Sequence, residues 1–230
     1  MTLHAGTGME RERPGVRRPV PAVSRLVMDA LDVVLAGLLL VVAAPVLTVI
    51  ALLIRLSSPG PVLFRQLRIG HLEQPFAMLK FRTMHVDCDD RLHRDFVTRM
   101  LSGDTAGEAA PDGVFKLADD PRVTRIGRFL RRTSLDELPQ LVNVLRGEMS
   151  LVGPRPALPW EIDLYGPTHR LRFQVRPGMT GLWQVRGRNR VDLARALDLD
   201  VEYVARQSVR LYLLILVMTV PAVLRGDGAR

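Results

Sequence analysis

From Val33 to Ile54 the chain carries no charged residue. That run of 22 residues would make a helix of about 33 Å, close to the thickness of a bilayer hydrocarbon core. It also exceeds the roughly 7 to 15 apolar residues of a secretory leader, so a cleavable signal fits poorly. A membrane element therefore has to be built into the fold. Pro45 lies just past the middle of the run, where it removes one backbone hydrogen bond and crowds the preceding turn, so a kink or break is expected there. Arg17, Arg18 and Arg25 precede the run, and Arg55, Arg65 and Arg68 follow it. Such cations collect on the cytoplasmic side. Both ends thus read as cytoplasmic, which suits a helix-break-helix hairpin, whereas insertion energetics favour a straight span. The residues leave the two open.

A chain of 230 residues has room for one modest domain beside this element. Residues 1–24, rich in Arg, Pro, Gly and Glu, read as a flexible basic tail. The formal charge of +8 predicts an anionic partner: nucleic acid, acidic headgroups or a phosphorylated substrate. Cys88 is the only cysteine, which excludes an intrachain disulfide. After the turn residues Ser57 to Pro61, short strands are expected at Val62–Gln66 and Phe76–Met84, with turns around Gly70 and Pro75. Helical spacing covers Asp87–Leu101, Arg122–Arg132, Leu138–Leu145 and Asp192–Arg206, with a small-residue loop at Ser102–Gly113. Pro154–Pro159 is too rich in proline for a helix, and Pro177–Asn189 reads as loop and strand. The last apolar run, Leu211–Leu224, would span about 20 Å as a helix, suited to an interfacial or a core position. The fold class expected is α+β, mainly helical.

Several segments carry possible chemistry. Strand alternation would place Lys80 and Arg82 on one face about 7 Å apart, a spacing suited to a diphosphate, or simply a wet basic face. Ser134-Leu135-Asp136-Glu137 fits a helix-capping box, but Pro139 would then fall in the helix interior. Starting the helix at Asp136 removes that clash and leaves Arg131 and Arg132 near its carboxylate. In that setting Asp136 is a candidate nucleophile, and Glu137 could add an oxygen ligand for Mg²⁺. Arg155, held between Pro154 and Pro156, is either a rigid substrate contact or a structural loop arginine. Gln184, in Gly181-Leu182-Trp183-Gln184-Val185-Arg186-Gly187-Arg188-Asn189, could read a base or merely pack. No phosphate-cradling glycine loop appears.

Taken together, the blocks Lys80-Phe81-Arg82-Thr83-Met84, Asp120-Pro121-Arg122-Val123-Thr124 with Gly127-Arg128, Ser134 to Gln140, Gly147 to Pro156, and Pro177 to Gly181 resemble the bacterial sugar transferase family. These are monotopic phosphoglycosyl transferases, and the resemblance covers roughly Met28 to Gly226. It implies transfer of a phosphosugar from a UDP-sugar to polyprenyl phosphate, with Mg²⁺, a covalent aspartyl intermediate and release of UMP. By the same resemblance Asp136 is the nucleophile, Glu137 its dyad partner, and Lys80, Arg82 and Arg131 phosphate contacts. It further implies a re-entrant helix over 25–58 broken near Pro45, and a catalytic domain over 59–226 on the cytoplasmic face of the bacterial plasma membrane. Membrane lipids are then partners, nucleic acid is not, and a homo-oligomer is allowed. The chain departs from the family at Ala44-Pro45, where Ser-Pro is common, and at Tyr212, where Asp is common. With no multi-span module ahead of the apolar run, a minimal catalytic unit is expected.

Overall fold

The computed structural model describes residues 20–85, 122–186 and 193–224. The helix and loop expected at 87–113, the Asp120-Pro121 pair, residues 187–189 and nearly all of the basic tail lie outside the described residues. The chain is mainly helical with two small sheets, as the sequence suggests.

Helix α1 (Ala22–Ser57) starts directly after Pro21, inside the segment read as tail, and runs for 36 residues. The break expected near Pro45 does not interrupt it, because helical residues continue on both sides. Locally the ladder is altered in two ways. Pro45 lacks an N–H, and the Thr48 hydroxyl donates to the Ala44 carbonyl at 2.9 Å, a back-bond that favours bending. Met28, Asp32, Ala36, Ile50 and Ile54 form an inward stripe at helical spacing. Val34, Leu39, Val42, Val46, Val49 and Leu53 face outward and are exposed. Among the described residues α1 is the helix long and apolar enough to cross a bilayer.

Strands β1 (Leu63–Ile69) and β2 (Pro75–Phe81) pair antiparallel, from Leu63 opposite Phe81 to Ile69 opposite Pro75. Gly70 and Pro75 bound the connecting turn, as expected. The second strand stops at Phe81, short of Met84, which makes only an isolated bridge to Val123. Helices α2 (Arg125–Thr133) and α3 (Gln140–Leu145) follow, and Gly147, at φ +72, turns the chain away as anticipated. Strand β3 (Ser150–Val152), which sequence periodicity did not reveal, pairs parallel with β4 (Gly178–Thr180). Between them lie a 3₁₀ turn at Pro159–Leu164 and the short helix α4 (Pro167–Arg170). Leu182–Arg186 is helix α5 rather than the loop or strand expected. The chain ends in α6 (Leu193–Arg206) and α7 (Val209–Leu224).

The main core gathers Met78 of β2, Leu141 and Val144 of α3, Leu151 and Val152 of β3, Tyr203 of α6 and Ile215 of α7 against Met28 and Ala36 of α1. A second contact zone joins Ile50 and Ile54, near the other end of α1, to Phe81 and Leu130. Both ends of the long helix therefore rest on one domain. Helix α7 buries Tyr212 and Ile215 in the core, while Leu214, Val217 and Val220 are exposed.

Asp32 ties these parts together. Its Oδ1 accepts from the Leu151 N–H at 2.7 Å and from the Tyr212 hydroxyl at 2.6 Å. The tyrosine that departs from the family pattern thus anchors α7 to α1. Asp32→Ala strands a buried N–H and a buried hydroxyl, so a loss of about 2 to 4 kcal/mol is expected, read as a lower Tm of the detergent-solubilised protein. An unchanged Tm would remove this junction from the account.

Candidate active site

The Asp-Glu pair sits where two helices are forced to meet at a tight corner. Ser134 adopts φ +57 and closes α2, its N–H bonding back to the Leu130 and Arg131 carbonyls. It is a left-handed C-cap, so the capping box is not formed and no Ser134 side-chain cap is made. Leu135–Glu137 then makes a single 3₁₀ turn, and Pro139 directly precedes α3. Proline stops regular helix from extending backward, which keeps the corner. Asp136 is buried at 9 % exposure, whereas Glu137 is half-buried.

Three interactions fix this corner against β2 and the segment after it. Lys80 Nζ donates to Glu137 Oε1 at 2.8 Å. Arg131 Nε donates to the Thr83 hydroxyl at 3.0 Å. Behind the turn, the fully buried Asn143 of α3 bridges to β2, accepting from the Leu79 N–H at 2.9 Å and donating to the Ala77 carbonyl at 2.8 Å. Asn143 was not singled out in the sequence, although an amide inside the apolar run Leu141-Val142-Asn143-Val144-Leu145 is the signal that could have marked it. Its buried amide registers α3 against the strand that carries Lys80.

The remaining expected contacts divide. Arg82 does not share a presented face with Lys80, because the strand and its alternation end at Phe81. Its guanidinium instead donates to the carbonyls of Ser58 and Pro59 and to the Ser58 hydroxyl at 2.7 to 2.9 Å, closing the C-terminal end of α1. At 6 % exposure its guanidinium is engaged with the end of α1 and does not stand open beside Lys80. Arg155 is half-buried on the loop after β3. Gln184 lies on α5, where its amide nitrogen donates to the Met179 carbonyl at 3.3 Å, so it supports the β4 loop. Lys80 meets Glu137, the neighbour of Asp136, and Arg131 meets Thr83 just after β2, while Arg82 is directed to the end of α1.

The model for bacterial sugar transferases matches residues 23–226, nearly everything from the start of α1 onward. The chain belongs to the bacterial sugar transferase family. It is therefore an enzyme of the transferase class. It is 43% identical to an exopolysaccharide production protein of Sinorhizobium fredii, over 77% of this chain and 76% of that one. An undecaprenyl-phosphate galactose phosphotransferase of Salmonella typhimurium is 43% identical over 74% of this chain but only 35% of its own length. A UDP-glucose:undecaprenyl-phosphate glucose-1-phosphate transferase of Caulobacter vibrioides is 44% identical over 78% of this chain and 62% of its own. The chain thus spans about a third of the Salmonella relative.

As to a metal, no group of three or more His, Cys, Asp or Glu able to hold an ion occurs among the described residues. The donor set still fits Mg²⁺, which is commonly held by one or two carboxylates together with substrate phosphates and waters. Asp136 and Glu137 supply two adjacent carboxylates of that kind.

Proposed function

We propose that the protein transfers a sugar 1-phosphate from a UDP-sugar to polyprenyl phosphate at the cytoplasmic face of the bacterial plasma membrane. Relatives named for galactose phosphate and glucose-1-phosphate transfer to undecaprenyl phosphate support this reading. The observation that carries it is a buried aspartate at a helix-helix corner that the Lys80–Glu137 pair and the Arg131–Thr83 bond hold against β2 and the segment after it.

In this mechanism a carboxylate oxygen of Asp136 attacks the β-phosphorus of the donor, and the bond from that phosphorus to the bridging oxygen breaks as UMP departs. The sugar phosphate is now esterified to Asp136. An oxygen of polyprenyl phosphate then attacks the same phosphorus, which frees the aspartate and yields the polyprenyl diphosphate sugar. Two anions approach each other in the first step, a repulsion of about 4 kcal/mol at 4 Å for an effective dielectric of 20. Lys80 and Arg131 offset part of it, and Asp136 and Glu137 would hold a Mg²⁺ ion. Bound there, the ion would neutralise phosphate charge. Lys80, by pairing with Glu137, keeps the second carboxylate aimed at the corner before substrate arrives.

Helix α1 serves the lipid half of the reaction. Both of its ends rest on the catalytic domain, so a path that enters and leaves the membrane on one side accounts for the packing better than a full crossing. The missing N–H of Pro45 and the Thr48 back-bond lower the cost of a bend at depth. A shallow helix of this kind leaves the acceptor phosphate at the surface where a soluble donor can reach it.

A panel of UDP-sugars with Mg²⁺ and polyprenyl phosphate tests the assignment. At least one donor should release UMP and place its sugar in the lipid extract as a diphosphate. Free sugar phosphate would mark a hydrolase instead, and no UMP from any donor would remove the assignment.

A further inference from the structure

The backbone from Pro154 to Leu158 is held by a dense set of hydrogen bonds. The Pro154 carbonyl accepts from the Gly178 N–H at 2.8 Å, Ala157 exchanges two bonds with Ile69, and the Leu158 carbonyl accepts from the Glu161 N–H at 3.0 Å. Three further groups are held by side chains. The Arg155 carbonyl accepts from Arg172, which itself pairs with Asp200. The Pro156 carbonyl accepts from Arg68 at 3.0 Å, and the Leu158 N–H donates to Glu161 at 2.8 Å.

These four charged residues are all buried, between 2 and 5 % exposed. Arg172 pairs with Asp200 at 2.7 Å, and the Tyr165 hydroxyl connects Arg172 to Glu161 at 3.0 and 3.1 Å. Burial carries a visible cost. It pulls the Arg68 guanidinium down to about 9, with the charge of Arg155 adding to the effect, and pushes the Asp200 carboxyl up to about 6. Arg172 Nε and Asp200 Oδ1 find no hydrogen-bond partner among the described residues. Apolar side chains of similar volume often stabilise a core as well as buried ions do. They cannot, however, grip the N–H and carbonyl groups of a particular loop.

We propose that Arg68, Glu161, Arg172 and Asp200 form a buried frame that holds Arg155 in the orientation needed to engage the UDP portion of the donor. They are positioning residues, and the proposal rests on Arg155 being a donor contact. The two prolines beside Arg155 restrict its backbone further. Arg68 also lies on β1, the strand paired with β2, so the frame sets Arg155 relative to Lys80 and hence to the Glu137 carboxylate.

A double-mutant cycle on the full chain in detergent, reading the Kd of UDP with Mg²⁺ by calorimetry, separates the alternatives. Arg155→Ala and Asp200→Asn should each weaken UDP about tenfold, and the double variant should bind no more weakly than Arg155→Ala alone. Asp200→Asn that folds but leaves UDP binding unchanged overturns the frame, as does a loss that adds in full to that of Arg155→Ala. Arg155→Ala that binds UDP like the parent overturns the donor contact itself, and the frame with it. Should Asp200→Asn not fold, Tyr165→Phe removes only the bridging hydroxyl and runs through the same cycle. A loss of about threefold that vanishes in the Arg155→Ala background supports the frame, and an unchanged or fully additive result overturns it. A purely structural role would lower Tm without this coupling.

Discussion

Replacing Asp136 with asparagine should lower UMP release from the active UDP-sugar by a factor on the order of 10⁴ while leaving the protein folded. Asparagine matches aspartate in shape, so the exchange adds no volume at this buried position. What it loses is the negative oxygen able to bond to phosphorus. Because the 3₁₀ turn is fixed by Ser134 at one end and Pro139 at the other, the corner itself survives the exchange. Initial rates of UMP formation with and without polyprenyl phosphate check this, and full activity in Asp136→Asn would transfer the nucleophile to another group.

Gly127→Ala should be strongly disruptive. A Cβ at this position would stand 2.0 Å from the Thr83 carbonyl oxygen and 2.7 Å from the Thr83 Cα. These are backbone atoms and cannot swing aside. Helix α2 would have to shift, and the shift would break a set of linked bonds. Gly127 N–H donates to the Thr124 cap at 2.9 Å, Thr124 N–H donates to the Thr83 carbonyl at 3.0 Å, and Arg131 reaches the Thr83 hydroxyl. A cost of about 3 kcal/mol or more is expected, with loss of activity beyond the loss of folded protein because the corner bearing Asp136 moves with α2. Gly37→Ala is the control. Nothing lies within 4 Å of its Cβ position, so the change should amount to about 1 kcal/mol or less. Thermal unfolding of both variants in the same detergent distinguishes the close approach from a general intolerance of substitution.

The parts of this fold legible in the sequence are those set by local rules. A charge-free run of 22 residues gave away α1, and the alternation around Lys80, bounded by Gly70 and Pro75, gave away the hairpin. Pro139 correctly ruled out a regular helix beginning at Ser134. The misread elements are those decided by distant contacts. Ser134 takes a left-handed conformation that a serine rarely adopts on its own, so a capping pattern became a helix stop. The strand expected to run to Met84 ends at Phe81, and the end of α1 takes the Arg82 guanidinium. The turn-forming residues around Leu182–Arg186 concealed a five-residue helix.

The candidate site shows the same division. Asp136 and Glu137 could be named because two adjacent acids beside a proline-limited corner is a local pattern. Asn143 and Asp32 could not, since their partners lie far along the chain: Leu79 and Ala77 for the first, Leu151 and Tyr212 for the second. Nor does any short-range spacing reveal that four buried ions converge on the loop around Arg155. Single-sequence reading finds a candidate reacting group more readily than the distant contacts that hold it in place.

The central claim is a bond between Asp136 and phosphorus. Intact-protein mass spectrometry after mixing the enzyme with its UDP-sugar and Mg²⁺, without lipid acceptor, measures that bond directly. The account predicts a mass gain of one sugar phosphate that maps to the peptide containing Asp136, disappears when polyprenyl phosphate is added, and is absent from Asp136→Asn. UMP release with no adduct on the wild-type protein, or an adduct on Asp136→Asn, would contradict it.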